Sequence, residues 1–202
     1  MMRMRTLAGI AAIVAAWGGA ARAADTKQID LRTRAGVEAV RGEWRYSNAR
    51  IVEIPHKAPD GSPNTTNAIE PKAQGADFDD SKWEVLDPTT LGKRRSTGLV
   101  CFCWYRIKLT MPDDVAGKTV AFVSTVDDYG EIWVDGQLPR SAGQVGGNIV
   151  GGFNVPNRVV LKDPKPGKVY QVAVFGINGP ISAHPENYIF LGPTFLELAE
   201  PK

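Results

Sequence analysis

Histidine and cysteine are scarce in this sequence, with two of each in 202 residues. The histidines, His56 and His184, are far apart and each adjoins a proline. Four-ligand zinc spacing is therefore absent. There is no G-x-S-x-G elbow to present an activated serine and no P-loop. The glycines of GQVGGN and VGG lack the buried strand before them and the helix after them that a dinucleotide fingerprint needs. Helical periodicity of useful length, internal repeats and low-complexity tracts are also missing.

Long apolar runs are missing too. The longest, Leu7 to about Ala20, falls short of the roughly 20 residues that cross a bilayer. It follows Arg3 and Arg5 and precedes Ala21-Arg22-Ala23. This is the pattern of a secretory signal peptide. The expectation is a leader over residues 1–23, cleavage after Ala23, and a single domain over 24–202 in the periplasm or outside the cell, with no membrane span once the leader is removed. The net charge is +2, and three positive charges (Arg3, Arg5, Arg22) belong to that leader. The remainder is slightly acidic, which gives no electrostatic case for binding nucleic acid or an anionic membrane. The cluster Lys93-Arg94-Arg95 reads as a solvated loop.

Turn residues are plentiful: 21 glycines and 14 prolines exceed the roughly 12% that ordinary chains carry. They punctuate the whole chain. Between them GEWRYSNARIVEIP reads as a strand pair, His56 to Gly75 as a long surface loop, and DFDDSKWEVL as a capped turn feeding a strand at Trp83 to Leu86. LVCFCWYRIKLTMP, KTVAFVSTV, EIWV, NRVVL, KVYQVAVFGI and NYIFLGPTFLEL follow. At least eight short strands predict an all-β, antiparallel β-sandwich, and within that class a jelly roll.

Alternation places Ile107, Leu109, Tyr105, Cys103 and Cys101 on one face of their strand, and Phe102, Trp104 and Arg106 on the other. Residues two apart on a flat strand lie nearly 7 Å apart at Cα, at the limit for a relaxed disulfide. Two buried free thiols, a bulged Cys101–Cys103 bridge and a metal site all stay open, because export favours oxidation.

Four carboxylates crowd VDDYGEIWVDG, residues 126–136. As an EF-hand loop DDYGEIWVDGQL fails, with tyrosine third and isoleucine sixth. A glycosidase pair such as Asp127 and Glu131 would need the two carboxyls about 5 to 9.5 Å apart across a cleft. Asp135-Gly136 is instead a preferred hairpin turn, and Asp127-Asp128-Tyr129-Gly130 is turn-like. If Ile132 and Val134 face the core, Tyr129, Glu131 and Trp133 share the opposite side. Aromatic faces beside carboxylate, amide and guanidinium groups suit a sugar. The candidate ligand residues are Tyr129, Glu131 and Trp133, with Arg106, Arg140, Asn148, Asn154 and Arg158 as polar partners. No catalytic residue is assigned.

DFDDSKWEVL, WYRIKLTMP, EIWVDG, the glycine-rich loop, GGFNV and PGKVYQVAVFGING together resemble the galactose-binding-like jelly roll, the sugar-binding domain that precedes the catalytic barrel in family 2 glycoside hydrolases. Over a longer stretch, from about Gly42, WRYSNARIVE, DDSKWEVLDPTTL, DDYGEIWVDGQLPR, PNRVVL and AVFGINGPIS are similar to the N-terminal segment of some bacterial gluconolactonase-like proteins. The resemblance implies a β-sandwich module without catalytic residues, tied to carbohydrate or sugar-lactone metabolism and accessory to an enzyme. It implies no cofactor, although many such jelly rolls hold a structural calcium through backbone carbonyls. These residues have no counterpart of the propeller that carries a lactonase metal site, so lactonase activity is not carried over. The competing readings are a protein-docking module that uses the tryptophan-rich face, and a small hydrolase that uses Asp127 or Glu131.

Overall fold

A computed structural model of the chain describes residues 26–95, 102–139, 155–179 and 188–201. Its strands are β1 (Lys27–Asp30), β2 (Trp44–Asn48), β3 (Arg50–Lys57), β4 (Pro63–Glu70), β5 (Glu84–Leu86), β6 (Phe102–Thr110), β7 (Thr119–Asp127), β8 (Tyr129–Val134), β9 (Asn157–Val160), β10 (Val169–Ile177) and β11 (Phe190–Ala199). One short helix, α1 (Arg34–Ala39), stands between β1 and β2, its first turn capped by the Thr33 hydroxyl accepting from Gly36 N–H.

Two antiparallel sheets face each other. The four-stranded sheet has the order β1-β11-β7-β9 and the five-stranded sheet β5-β2-β6-β10-β8. From β7 to β11 successive strands alternate between the sheets, so the chain wraps the sandwich as a jelly roll does. The expected all-β sandwich is thus the observed architecture.

The main core lies between the sheets. Cys103, Tyr105, Ile107 and Leu109 of β6 meet Phe122 and Val126 of β7 and Leu196 and Leu198 of β11, as the alternation of β6 predicts. Trp44 is fully buried, and its indole N–H donates to the Leu31 carbonyl at 2.9 Å. This gives a large apolar side chain a partner for its one polar atom. Cys103 is a free, buried thiol, and burial pushes its pKa up. Cys101 lies outside the described residues.

One prediction needs correction. Residues 56–75 are not a long loop, because β3 continues to Lys57 and pairs with β4 in a separate hairpin, Arg50 opposite Glu70 and Lys57 opposite Pro63. The segment PNTTNAIE carries no apolar alternation because most of the hairpin is exposed. Period-two burial, the usual signature of a strand, had nothing to act on there.

A second core sits outside the five-stranded sheet. Trp104, Ala173 and Phe175 on the outer face are buried against Ala49 and Ala73, with Ile69, Phe78, Trp83, Phe102, Trp133 and Ile177 packed around them. The cover is the segment 71–83. It carries few apolar residues, and polar contacts fix it in place.

Candidate functional site

Register sets out the outer face of the five-stranded sheet row by row. Trp133 of β8 lies opposite Ala173, which lies opposite Arg106, which lies opposite Arg45. In the next row Glu131, Phe175, Trp104 and Ser47 line up, and in the third Tyr129, Ile177 and Phe102. The expected sidedness of β8 therefore holds. Ile132 is fully buried in the main core and Val134 packs on it, while Trp133 belongs to the outer cluster.

Arg106 differs from its expected role as a ligand partner. Its guanidinium is wholly buried under the segment 71–83. Nε donates to Asp80 Oδ2 at 2.7 Å, and the remaining nitrogens donate to the carbonyls of Ala73, Gly75 and Phe78. Four oxygens thus surround one built-in cation, an arrangement in which a guanidinium does what a bound metal ion does for a loop of carbonyls. Arg45, directly opposite, donates to the carbonyls of Asp80 and Ser81. Trp104 Nε1 adds a bond to the Pro71 carbonyl at 2.9 Å. The sequence hints at this only through two outward arginines in register; the carbonyls leave no trace in it.

Arg158 is also placed elsewhere. It stands on β9, in the other sheet, and its guanidinium holds Glu197 at 2.6 and 3.0 Å. Arg140, Asn148 and Asn154 lie outside the described residues, as do His184 and the glycine-rich loop. Among the basic cluster, Arg95 is less solvated than expected: it pairs with Glu84 and lies 5.2 Å over the Tyr46 ring.

What the structure does bring together is Tyr129, Glu131 and Trp133. They occupy one face of β8, which is an edge strand. Tyr129 is 40% exposed, and Glu131 and Trp133 are half-buried. The Trp133 indole N–H donates to Glu131 Oε2 at 2.9 Å. That bond fixes the carboxylate at the N–H edge of the indole and leaves Oε1 without a hydrogen bond among the described residues. An oriented carboxylate beside an aromatic edge can accept from a hydroxyl while the ring meets C–H groups.

The neighbouring acids serve the backbone. Asp135 and Gly136 have φ of 50° and 75°, and Val134 and Gln137 exchange both backbone bonds around them. This is the two-residue hairpin turn the sequence predicts. Asp135 also accepts from Gln171 N–H at 2.8 Å. The turn before β8 is tighter than predicted, since Tyr129 and Gly130 already belong to the strand. Asp128, almost fully buried, accepts from Gly179 N–H at 3.0 Å, and Asp127 accepts from the Asn178 side chain at 3.3 Å. Among the described residues no three His, Cys, Asp or Glu side chains converge as a metal site.

No family model matches the chain, and none of the curated proteins does. Among solved structures it is similar to β-glucuronidase 2 of Bacteroides uniformis, at 15% identity and a TM-score of 0.48, covering 88% of this chain and 18% of that one. A glycosyl hydrolase family 2 member of Bacteroides cellulosilyticus gives 14%, 0.49, 87% and 21%. A β-glycosidase of Bacteroides vulgatus gives 15%, 0.48, 87% and 20%. The chain spans about a fifth of the length of each of these proteins. The family named for the Bacteroides cellulosilyticus protein, glycosyl hydrolase family 2, is the group that the sequence resembles.

Proposed function

We propose that this chain is an exported, non-catalytic module that binds a carbohydrate, sugar acid or sugar lactone on the outer face of β8, beside an enzyme of glycosidase or gluconolactonase type. The observation that carries the reading is the Trp133–Glu131 hydrogen bond at 2.9 Å, with exposed Tyr129 on the same face. Together they supply two aromatic surfaces and one oriented acceptor. A non-catalytic role is supported by the engagement of Asp127, Asp128 and Asp135 in holding backbone and side chains of the fold. Export rests on the leader sequence. No helix among the described residues is long and apolar enough to cross a membrane.

The test is a thermal-shift screen of the chain from Ala24 against sugars, aldonates and lactones, with and without chelator. A ligand at about 100 times its Kd adds about 2.7 kcal/mol, and Trp133→Ala removes that gain. If no member of the panel shifts the transition, the reading fails.

Docking on a protein partner is the second reading, favoured by one feature. The β3–β4 hairpin forms a sheet of its own with Ile51 49% exposed, and isolated two-stranded hairpins are marginal in water. Under that reading, shortening the hairpin leaves sugar binding intact and abolishes partner binding.

A further inference from the structure

The β3–β4 ribbon has two free edges, and they differ. Where the strands join, Ala58 N–H bonds to the Ser62 carbonyl at 3.0 Å, which makes 58 and 62 a bonded pair. Pairs alternate along an antiparallel ribbon, so His56–Asn64, Ile54–Thr66, Val52–Ala68 and Arg50–Glu70 bond across it, and the pairs between them turn their N–H and C=O groups outward. The prolines agree. Pro55 and Pro63, which have no N–H to give, both fall in the outward set, and Thr65 N–H, in the same set, is taken by Asn64 Oδ1 at 2.8 Å. The outward groups are thus those of Ile51, Glu53 and Pro55 on β3 and of Thr65, Asn67 and Ile69 on β4.

The β3 edge is closed to pairing. Pro55 interrupts its donors, and Arg50, Glu53 and Lys57 charge the strand, the devices by which edge strands avoid one another. β4 has neither. From Asn64 to Ile69 it holds no proline and no charged residue, and Thr65, Thr66 and Asn67 are exposed. Among the described residues, nothing beyond the ribbon bonds the backbone N–H of Asn67 or Ile69. An unblunted edge of this kind is a template for a further strand.

The register selects that strand. When β4 of a second copy runs antiparallel about a two-fold axis through Asn67, Asn67 faces Asn67, Thr65 faces Ile69 and Thr66 faces Ala68. The facing pairs of the outward set can then exchange both backbone bonds, and no like charges meet, since Glu70 faces Asn64. A two-fold axis through Glu53 would instead oppose two glutamates. The β4 register also carries the tip of one ribbon past Pro71 of the other, where the charges are complementary. Asp60 in the tip accepts only from Ser62 among the described residues, and Lys72, which lines a cleft of about 850 Å³ at the base of the ribbon, makes no ion pair among them.

We propose that two copies of this chain associate by pairing β4 with β4, in a four-stranded sheet of order β3-β4-β4-β3 about a two-fold axis. A two-stranded ribbon is marginal in water, whereas three or more strands with an apolar face are stable. Val52, Ile54 and Ala68 share one face of this sheet. The proposal rests on the docking reading of the ribbon and names its partner; it does not depend on a ligand at β8.

Sedimentation equilibrium of the purified chain over a concentration series should show a reversible monomer–dimer equilibrium. Asn67→Pro removes the central donor of the β4 edge and none of the bonds within the ribbon. It should raise the dissociation constant of the dimer about tenfold or more, as the loss of both central bonds implies, with the monomer still folded. Glu53→Pro, on the β3 edge, should leave the dimer as it was. Cross-linking reads the register. In a Cys101→Ser background Asn67→Cys should give a disulfide-linked dimer, because facing residues of a bonded pair lie about 5.5 Å apart at Cα, within disulfide reach. Thr65→Cys should not, since its copy lies roughly 13 Å away along the strand. The proposal is overturned if the chain stays monomeric throughout the series, if Asn67→Pro dimerises as tightly as the parent, or if Thr65→Cys cross-links and Asn67→Cys does not. A monomeric chain whose ribbon binds another protein would keep the docking reading and overturn the second copy, whereas dimerisation in a chain that responds to no sugar would uphold the pairing and sink the β8 reading.

Discussion

Arg106 Nε lies 2.7 Å from Asp80 Oδ2, with the arginine side chain wholly inaccessible and the aspartate 17% exposed. This pair anchors the cover of the outer face, because the same guanidinium also takes three carbonyls of that cover. Removing the carboxylate leaves a buried cation partly unpaired, and Asp80→Ala should cost about 3 kcal/mol. Arg106→Lys should not restore stability, since an ammonium has three donors and no planar fork. Urea denaturation of the two single variants and the double variant checks both points, and the double should be less destabilised than the sum.

Gly36 makes a closer approach than any side chain allows. A Cβ built there would lie 1.9 Å from the Asp30 carbonyl oxygen, so α1 could not sit against the end of β1. Gly36→Ala should destabilise the chain by more than the roughly 1–3 kcal/mol typical of overpacking, although alanine is the better helix former. A thermal midpoint at or above that of the parent would show that the helix can move away.

Asp87 gives a pH signature. Its pKa is lowered to about 2, first by the hydrogen bond from Arg34 and then by the Thr89 N–H and hydroxyl. Because the folded value is depressed, its contribution is fully present above the ordinary carboxylate range near 4 and is lost as pH falls through about 2. Carboxyl-carbon NMR should place the Asp87 midpoint near 2, rising towards the ordinary range in Arg34→Gln. A midpoint unmoved by that substitution would contradict the assigned cause.

Cys103 should behave as a closed thiol. Burial raises its pKa, and the thiolate is the reactive form. In a Cys101→Ser background, a thiol reagent should label Cys103 only when denaturant is added. Rapid labelling of the native chain would mean that β6 opens easily.

Strand sidedness was legible in the sequence wherever alternation was strong. Ile107 and Leu109 fixed the face of Cys103 and Tyr105, and Ile132 and Val134 fixed that of Glu131 and Trp133. Alternation names a side but not what covers it. The burial of Arg106 and Trp104 depends on carbonyls of residues 71–80, which any sequence supplies. The polar β4 and the six-residue α1 were too weakly patterned to see. At VDDYGEIWVDG the turn chemistry of Asp135-Gly136 was readable because positive φ restricts residue choice, whereas the bond from Trp133 to Glu131 needed the folded strand.

The sharpest test of sugar binding on β8 follows the Trp133 indole N–H by two-dimensional ¹⁵N NMR, during titration with members of the sugar, aldonate and lactone panel. That proton bonds Glu131, so a ligand hydroxyl arriving at the carboxylate must move its resonance. A saturable shift is expected with at least one neutral sugar or lactone, and Glu131→Gln should abolish it. An indole resonance that stays put across the whole panel, in a chain that remains folded, would contradict it.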